Sequence, residues 1–443
     1  FKGNTTSAYT GSSYDKALLS GAGGAIYAAY TNLTINNSTF GGTLDTDANK
    51  AQYGGAIYFS NTQYHGNTGT SSLTINNSDF INNVASVQAG AIYHDGGTLN
   101  INGSTFSGNH TNYGGGAIRA VWGAELVIDS SKFLNNWVST TDSTSHNGDG
   151  GAIYSNATSV TIKNSLFEGN EARESSLSND GGAIIFSTNK SVNKISSTIF
   201  RNNTAGSGVG GAIYNDSTLS IDSSIFEGNS SKNNSGAIHF TAWDLAEGSS
   251  PLVQTITGTK FINNTSGAKG GAISIYLHND LTLSSSEFSG NSAASHGGAI
   301  DLSNATVSIK DTNFIGNHAG SCGGAIFAGT EYTVLSISNS VFDGNYCIAA
   351  GGAVYILDHT ADSTISGSVF RNNYDNSDTD NVRGGALQHG YSSESALATL
   401  GKLIITDSLF ENNRAENSGA GNTSGGALVG TNYDISNTIF RSN

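Results

Sequence analysis

The chain has 443 residues, of which only 12% are charged, with 58 Gly, one Pro and no Met. Ordinary soluble domains carry about twice that fraction of charge, so helices laced with ion pairs are excluded. The formal net charge is −15, and 19 Lys and Arg are spread through the chain. This argues against nucleic acid as a partner, because phosphate binding draws on clustered basic side chains.

From its first residue the chain repeats the phrase Phe-x-[Gly/Asn]-Asn, which opens as Phe1-Lys2-Gly3-Asn4. Of 15 copies, only Phe40-Gly41-Gly42-Thr43 lacks the final Asn. A run with alternating apolar residues precedes the Phe, as in LTINNSTF at 33–40. Period two predicts a β-strand, with Leu33, Ile35 and Phe40 pointing inwards.

The third position of this phrase is Gly in eight copies and Asn in six. Both residue types tolerate a positive φ, so we predict a left-handed residue at a bend in each repeat. Gly108, Asn135, Gly169 and Asn202 are the positions that test this prediction. We expect the Asn that follows to hydrogen-bond its equivalents in the repeats above and below.

A second phrase, Gly-Gly-Ala-[Ile/Val/Leu] or a near variant, alternates with the first. It occurs 14 times, with spacings of 25 to 41 residues, which indicates a constant core with loops of unequal length. Its second glycines are Gly24, Gly55, Gly90, Gly116, Gly151, Gly182, Gly211, Gly236, Gly271, Gly298, Gly324, Gly352, Gly385 and Gly426. The next apolar residue, such as Ile26, is predicted to point inwards.

Short strands in repeats without a helical period predict the coils of a parallel β-helix. We therefore predict an all-β fold in which residues 1–443 form one continuous β-helix of about 14 coils. No run of apolar residues approaches the roughly 20 that span a bilayer, so no membrane span is predicted. The absence of an initiating Met indicates a processed chain or a fragment.

The alternation of GGAI with FxxN resembles the passenger repeats of chlamydial polymorphic membrane proteins. GGAIY followed by LTINNSTF and FxxN is similar to bacterial autotransporters and to methanogen adhesin-like surface proteins. The resemblance covers essentially the whole chain. It implies a right-handed β-helix that is secreted to the cell surface and acts in adhesion or as a stalk.

Aromatic residues often follow the GGA[IVL] phrase. They are Tyr27, Tyr58, Tyr93, Tyr154, Tyr214, Phe327 and Tyr355. Other repeats place Arg119, His239 or Asp301 there, which indicates that the position faces outwards. The residues can form a surface stripe that binds sugar rings or a neighbouring rod; the alternative is aromatic packing between strands.

No catalytic residues are predicted. The Asp301, His239 and Arg119 side chains lie in non-adjacent repeats, and we interpret them as solvated residues of the outer face. Two loops have spacing typical of calcium ligands, and Ca²⁺ is the only cofactor for which the sequence offers candidates. The candidate ligands are Asp45, Asp47, Asp375, Asp378 and Asp380; the alternative is a hydrated acidic loop.

The two cysteines, Cys322 and Cys347, lie in consecutive repeats. Adjacent coils bring equivalent positions to about 5 Å, so we predict a disulfide between them. The alternative is two small buried residues.

Asn-x-Ser/Thr sequons such as Asn32, Asn109 and Asn229 are abundant, and we expect glycans only on those away from the FxxN turns.

Both ends of the chain fall at the same phase of the repeat, without a capping unit. A solenoid exposes apolar side chains and strand edges at an uncapped end. The sequence therefore leaves two explanations, truncation of a longer helix or head-to-tail stacking into a filament.

The predicted function is a non-catalytic extracellular adhesive or structural rod. Its partners would be glycans or proteins of a host or neighbouring cell; a filament subunit and, less favoured, a polysaccharide-processing enzyme remain alternatives.

Overall fold

The computed structural model describes residues 1–6, 21–61, 71–140, 148–173, 178–243, 245–246, 248–330, 332–357, 361–377, 381–390, 401–417 and 422–443. These residues form two compact units. The first contains Phe1–Leu219 and Asn229–Ser231, and the second contains Ser220–Gly228 and Lys232–Asn443. The predicted all-β parallel β-helix is confirmed, since every strand pairing within each unit is parallel. That residues 1–443 make a single domain stays a prediction.

Each coil of the first unit contains four kinds of strand, which we name after their place in the repeat. The GGA strands are Ile26–Ala29, Ile57–Ser60, Ile92–Asp95, Ile118–Val121, Ile153–Ser155, Ile184–Phe186 and Ile213–Asn215. The alternating strands are Asn32–Asn36, Ser72–Asn76, Thr98–Asn102, Glu125–Asp129, Ser159–Lys163 and Val192–Ser196. The Phe strands are Thr39–Gly41, Asp79–Ile81, Thr105–Ser107, Lys132–Leu134, Leu166–Glu168 and Ile199–Arg201. The post-Asn strands are Lys50–Tyr53, Val84–Gln88, His110–Thr111, Trp137–Val138, Glu171–Ala172, Thr204–Ala205 and Ser230–Ser231.

The second unit repeats this plan, and Thr218–Asp222 is the alternating strand whose residues are divided between the units. Its GGA strands are Ile238–Phe240, Ile326–Ala328, Val354–Ile356, Leu387–His389 and Leu428–Gly430, and its alternating strands are Leu252–Thr257, Val334–Ser338, Ser363–Ser366, Leu403–Thr406 and Tyr433–Ser436. In two coils these strands merge, as Ile273–Ser284 and Ile300–Lys310. The Phe strands are Ile225–Glu227, Lys260–Ile262, Glu287–Ser289, Asn313–Ile315, Val341–Asp343, Val369–Arg371, Leu409–Glu411 and Ile439–Arg441. The post-Asn strands are Thr265–Ser266, Ser292–Ala293, His318–Ala319, Tyr346–Cys347, Tyr374–Ser377 and Arg414–Asn417, and a further pair is Asn381–Arg383 with Asn422–Ser424.

Equivalent residues of successive coils pair in register. Phe80 pairs with Phe106, and Phe106 with Phe133, so each phenyl ring stacks on the next at 4.7 to 4.9 Å between centroids. The same stacking joins Phe261, Phe288 and Phe314 in the second unit at 4.5 to 5.0 Å. The alternation of apolar residues therefore forms continuous inward-facing stacks, as predicted.

The bend after each Phe has the predicted left-handed backbone. Gly108 and Gly169 have φ of 65°, and Asn135 and Asn202 have φ of 52°, which confirms the prediction. The Asn that follows belongs to a ladder that runs from coil to coil and is buried except at Asn4 and Asn443. Its members are Asn4, Asn49, Asn83, Asn109, Asn136, Asn170, Asn203 and Asn229 in the first unit and Asn264, Asn291, Asn317, Asn345, Asn373, Asn413 and Asn443 in the second.

Asn136 shows how each ladder asparagine is held. Its Nδ2 donates to Asn170 Oδ1 and to the Phe106 carbonyl, each at 3.0 Å. Its Oδ1 accepts from the backbone N and from Nδ2 of Asn109, at 3.1 and 3.0 Å. The ladder thus satisfies backbone groups at a buried bend, and the sequons at Asn109 and Asn229 are buried within it, as expected for sequons beside these turns.

The repeat whose phrase lacks the final Asn still has a ladder member. After Phe40 the chain makes a 3₁₀ turn at Asp45–Asp47, and Asn49 then occupies the ladder position. Asn49 Nδ2 donates to Asn83 Oδ1 at 2.8 Å, and Asn49 Oδ1 accepts from Asn4 Nδ2 at 2.8 Å. The sequence comparison missed Asn49 because it lies beyond the fixed spacing of the phrase.

Candidate functional site

The residue that follows the inward Ile of each GGA strand lies on the outer side of the strand, in register with its equivalents. We call this set the outer GGA ladder. In the first unit Tyr27 pairs with Tyr58 and Tyr58 with Tyr93, and the rings stack at 5.5 and 4.9 Å between centroids. The next rung is Arg119, whose guanidinium lies 3.8 Å from the centroid of the Tyr154 ring.

The side chains of this ladder are less exposed to solvent than the sequence indicated. Tyr27 is 44% exposed, but Tyr58 and Tyr93 are 2% and 3% exposed. They are covered because the segments before the GGA phrases pack over them, through Ala22, Ala89 and Tyr53. Phe327 and Tyr355 of the second unit are also buried, and Tyr154 and Tyr214 are half-buried.

The position lies on the outer side of the strand, as predicted, but Tyr58, Tyr93, Phe327 and Tyr355 are buried there and add nothing to an exposed stripe. The apolar residues that cover the outer side of the GGA strands could not be foreseen from the sequence. Some repeats place Arg, His or Asp at the ladder position, which gave no sign that the position is covered. The observed contacts are those of the alternative interpretation, aromatic packing between strands. A binding role for the residues of this stripe stays a prediction.

A buried polar cluster occupies the same ladder in the second unit. Asp301 is 1% exposed, and its Oδ2 accepts a hydrogen bond of 3.0 Å from the Tyr276 hydroxyl. Burial raises the pKa of the Asp301 carboxyl to about 6. His239 Nδ1 lies 3.0 Å from Ser235 Oγ, and burial lowers the pKa of His239 to about 3. The interpretation of Asp301 and His239 as solvated residues is wrong, because both side chains are buried.

The sequence analysis missed a pair of carboxyls in consecutive coils of the first unit. The backbone N of Asp180 donates to Asp149 Oδ1 at 3.0 Å, and Asp180 Oδ1 accepts from the backbone N of Val209 at 2.9 Å. Burial raises the pKa of both carboxyls, and the proximity of Asp180 raises that of Asp149 further. Two such carboxyls favour retention of a proton. The signal in the sequence was Asp-Gly-Gly-Ala in two consecutive repeats.

Two further stacks lie on the outer side of the post-Asn strands. In the first unit His110 stacks on Trp137 at 4.1 Å, and the Arg173 guanidinium covers the other face of Trp137 at 3.7 Å. In the second unit His318, Tyr346 and Tyr374 stack at 4.3 and 5.0 Å, and Arg414 follows at 5.0 Å. Because neighbouring rings cover their faces, these stacks present mainly ring edges to solvent.

The calcium candidates that the structure describes do not form a cluster of ligands. Asp47 lies in the 3₁₀ turn, where its Oδ2 is 2.9 Å from Lys2 Nζ, and Asp45 begins the same turn. Asp375 is buried in a post-Asn strand, whereas Asp378 and Asp380 lie outside the described residues. Within the described ranges, no three His, Cys, Asp or Glu side chains group as metal ligands do. Calcium binding stays a prediction.

The predicted disulfide is not formed. Cys347 is buried and pairs in register with Ala319, whereas Cys322 is bridged to Ala350. The two cysteines are therefore three residues out of phase, although both follow a Phe in consecutive coils. Burial raises the pKa of the Cys347 thiol well above its ordinary value. The alternative of a small buried residue describes Cys347.

The turn that follows the GGA strand, which we call the exit turn, carries the most exposed aromatic side chains. Trp122, Trp243 and Tyr332 are each 69% exposed and follow the strands Ile118–Val121, Ile238–Phe240 and Ile326–Ala328. Among the residues that the structure describes, none of the three rings stacks on another ring or on a cation. The sequence analysis did not single them out, because the exit turns differ in length from coil to coil.

Five stretches of the chain match the model of the Chlamydia polymorphic membrane protein repeat, namely residues 103–121, 197–216, 258–276, 285–303 and 311–329. This confirms the resemblance drawn from the GGAI and FxxN phrases. A search of curated proteins gave no significant match, and a search of solved structures gave none either. The described part of the chain contains no helix with the length and apolarity that a membrane crossing requires.

Proposed function

We propose that this protein is an extracellular, non-catalytic β-helix of the cell surface that acts in adhesion or as a structural stalk. The observation that carries the proposal is where the family repeat falls on the structure. Each matched stretch runs from the bend before a Phe strand to the GGA strand, as in 103–121, which contains Thr105–Ser107, His110–Thr111 and Ile118–Val121. The match thus covers the part of the coil that builds the core.

The matched part contains the Phe stack, the asparagine ladder and the GGA bend, all of which serve packing. The exit turns, whose length varies from coil to coil, lie at or beyond the ends of the matched stretches. A scaffold of constant cross-section with variable loops is suited to presenting binding surfaces, because loop changes leave the core intact. This division supports adhesion or display as the function.

The charged groups also favour a role without catalysis. Asp301 and His239 are enclosed beside ring and backbone groups, where a polymeric substrate has no access. Catalysis on a polysaccharide needs two carboxylates that face a substrate cleft. The half-buried Asp149 and Asp180 pair is held instead by backbone N–H groups of the neighbouring coil.

Adhesion is tested with fluorescent beads that carry the purified chain. We expect the beads to adhere to cells of a suitable panel more than beads carrying an unrelated acidic protein of similar charge. Adherence should fall when the free chain is added as a competitor. Equal adherence by both kinds of bead would remove the adhesive function and leave the stalk.

Three finer points stay predictions of the sequence: head-to-tail assembly, glycosylation and processing of a polysaccharide. Sedimentation over a wide concentration range tests assembly, because a stacking chain grows in mass with concentration. Incubation with polysaccharides, followed by a reducing-end assay, tests the enzyme alternative. A mass constant at the monomer value and an absence of new reducing ends are the results expected for the stalk or adhesin.

A further inference from the structure

We propose that a groove across the exit turns of the second unit binds a neutral carbohydrate, with Trp243 and Tyr332 as its two walls. The inference rests on the proposed adhesive function and specifies the surface and the ligand class. Here the groove means the exit turns of the two merged strands, Ile273–Ser284 and Ile300–Lys310, between the longer exit turns on either side.

The floor is formed because two consecutive coils have shorter exit turns than the coils on either side. Ile273–Ser284 and Ile300–Lys310 turn this corner through the left-handed residues Leu277, His278 and Asn304, with one irregularity of register between Tyr276 and Asn279. On one side, residues 241–251 separate the GGA strand from the alternating strand, and on the other side residues 329–333 do so. Two short turns between two longer ones leave a depression at this corner.

The walls are three coils apart. Ile238–Phe240 pairs with the start of Ile273–Ser284, which pairs with Ile300–Lys310, which in turn pairs with Ile326–Ala328. Three strand spacings separate the Trp243 turn from the Tyr332 turn by roughly 14 Å. This width suits a short oligosaccharide better than a single small molecule or a flat protein surface.

The aromatic walls indicate the ligand class. Trp243 and Tyr332 are each 69% exposed, and unlike Tyr58 their ring faces are not covered by another ring. Such a ring offers an apolar face with a polar edge, which complements a sugar ring with its C–H face and its hydroxyl rim. The rings on the post-Asn strands lack this property, because their faces are stacked on each other.

The floor adds polar groups without a cluster of cations. His278 is exposed, and Ser303 and Asn304 are half-buried; Leu277, His278 and Asn304 have φ of 49°, 49° and 53°. The backbone N of Asn304 donates to Thr330 Oγ1 at 2.7 Å and to Thr333 Oγ1 at 3.1 Å. These bonds fix the Tyr332 turn against the floor. The net charge of −15 disfavours anionic polysaccharides, so the ligand is neutral.

The test begins with an array of neutral glucose-, galactose- and mannose-based oligosaccharides beside sulfated and sialylated ones. We expect binding to neutral members, and titration calorimetry with the best-bound oligosaccharide then compares variants. Trp243→Ala and Tyr332→Ala should each weaken binding at least tenfold, whereas Trp243→Phe should retain part of the affinity. Circular dichroism of each variant confirms that the fold is unchanged.

Trp122→Ala is the matched control, because Trp122 has the same exposure and also lies in an exit turn. Its affinity should stay within twofold of the unmodified chain, as should that of Val253→Ala, an exposed aliphatic residue nearby. Binding only to anionic glycans, binding to none, or an equal loss in Trp122→Ala would overturn the proposal. Bead adherence that survives Trp243→Ala with Tyr332→Ala would leave the adhesive function intact and reject only this groove.

Discussion

Along the Phe strands every coil places the same side chain at the same depth, whereas on the outer side of the GGA strands neighbouring coils place Tyr, Arg, Ser or Asp at equivalent positions. Both sets are stacked in register, and much of the outer set is also buried. The difference lies in what surrounds them. The Phe stack must fill one constant cross-section, but each outer rung is covered by a local segment of variable sequence.

A buried position in this protein therefore need not carry the same residue type in every coil. Within the Phe stack a polar residue would meet apolar groups from all directions, so each coil repeats the same side chain. On the outer side, a charged rung can be accepted if its neighbour offers a partner. Arg119 lies on Tyr154, and Asp301 accepts from Tyr276.

Truncation of an inner ring is expected to have the largest effect. Phe133→Ala should lower the free energy of unfolding by about 3–5 kcal/mol, because it leaves a cavity between Phe106 and Phe167. Tyr154→Ala on the outer ladder should cost about 1 kcal/mol, since Tyr154 is half-buried and loses mainly its contact with Arg119. Urea denaturation followed by circular dichroism measures both. Equal losses would contradict the distinction between the two sides.

Removal of a buried ladder asparagine comes next. Asn136→Ala leaves the side-chain amide and backbone N–H of Asn109 without their acceptor, and should cost about 2–3 kcal/mol. The matched control is Asn76→Ala, in a second row of asparagines at the surface, where Asn76 Nδ2 donates to Asn36 Oδ1 at 2.8 Å. That change should cost less than about 0.5 kcal/mol, because water replaces the lost partner. The same denaturation experiment compares the two variants.

The pH dependence of stability tests an inner position that carries an ionisable side chain in place of an apolar one. His94 is buried and stacks on Phe59 at 4.9 Å, and burial lowers its pKa to about 3. The unfolded chain, with an ordinary pKa of 6.5, binds a proton that the folded chain does not. Stability is therefore lost as the pH falls below 6.5, and the loss at pH 5 is about 2 kcal/mol.

His94→Phe should remove this acid sensitivity, because Phe59 shows that a phenyl ring fits the adjacent rung. The unmodified chain and the variant are compared by urea denaturation at pH 8 and pH 5. The difference in stability between them should change by about 2 kcal/mol in favour of the variant at the lower pH. A difference that is independent of pH would mean that His94 binds a proton equally well in the folded and the unfolded chain.

The smallest effect concerns the bend after the Phe. At Gly108 a Cβ would lie 2.1 Å from Asn82 Oδ1, whereas at Gly316 it would meet nothing within 4 Å. Both glycines have a positive φ, so Gly316→Ala should cost about 1 kcal/mol from the backbone alone. Gly108→Ala should cost more, since Asn82 must also move from its hydrogen bond to the Gly42 carbonyl. Thermal denaturation of the two variants provides the measurement, and the opposite order would refute the steric explanation.

The repetitive part of the fold was predictable from the sequence because one cross-section is repeated. The alternation before each Phe predicts strands, and the choice between Gly and Asn predicts the positive φ of residues such as Gly108 and Asn135. The outer side was not predictable in the same way. The burial of Tyr58 depends on Ala22, Ala89 and Tyr53, which no fixed spacing connects with it.

The candidate groove could not be predicted for a related reason. Its walls, Trp243 and Tyr332, lie in turns of different length, and its floor exists because two neighbouring coils have merged strands. The disulfide prediction failed on phase, because Cys322 lies eight residues after Phe314 whereas Cys347 lies five residues after Phe342. Cys347 pairs with Ala319 and not with Cys322.

Asn49 shows how such a chain can diversify. After Phe40 the chain detours through the turn Asp45–Asp47, yet it delivers an asparagine to the same buried position and the ladder is uninterrupted. The repeat therefore keeps the buried position of the asparagine and does not keep its distance from the Phe along the chain. A newly duplicated coil can gain or lose residues at this bend without penalty to its neighbours, provided that one amide side chain returns to its place. Foreign peptides inserted between Gly42 and Ala48 should be tolerated on the same condition.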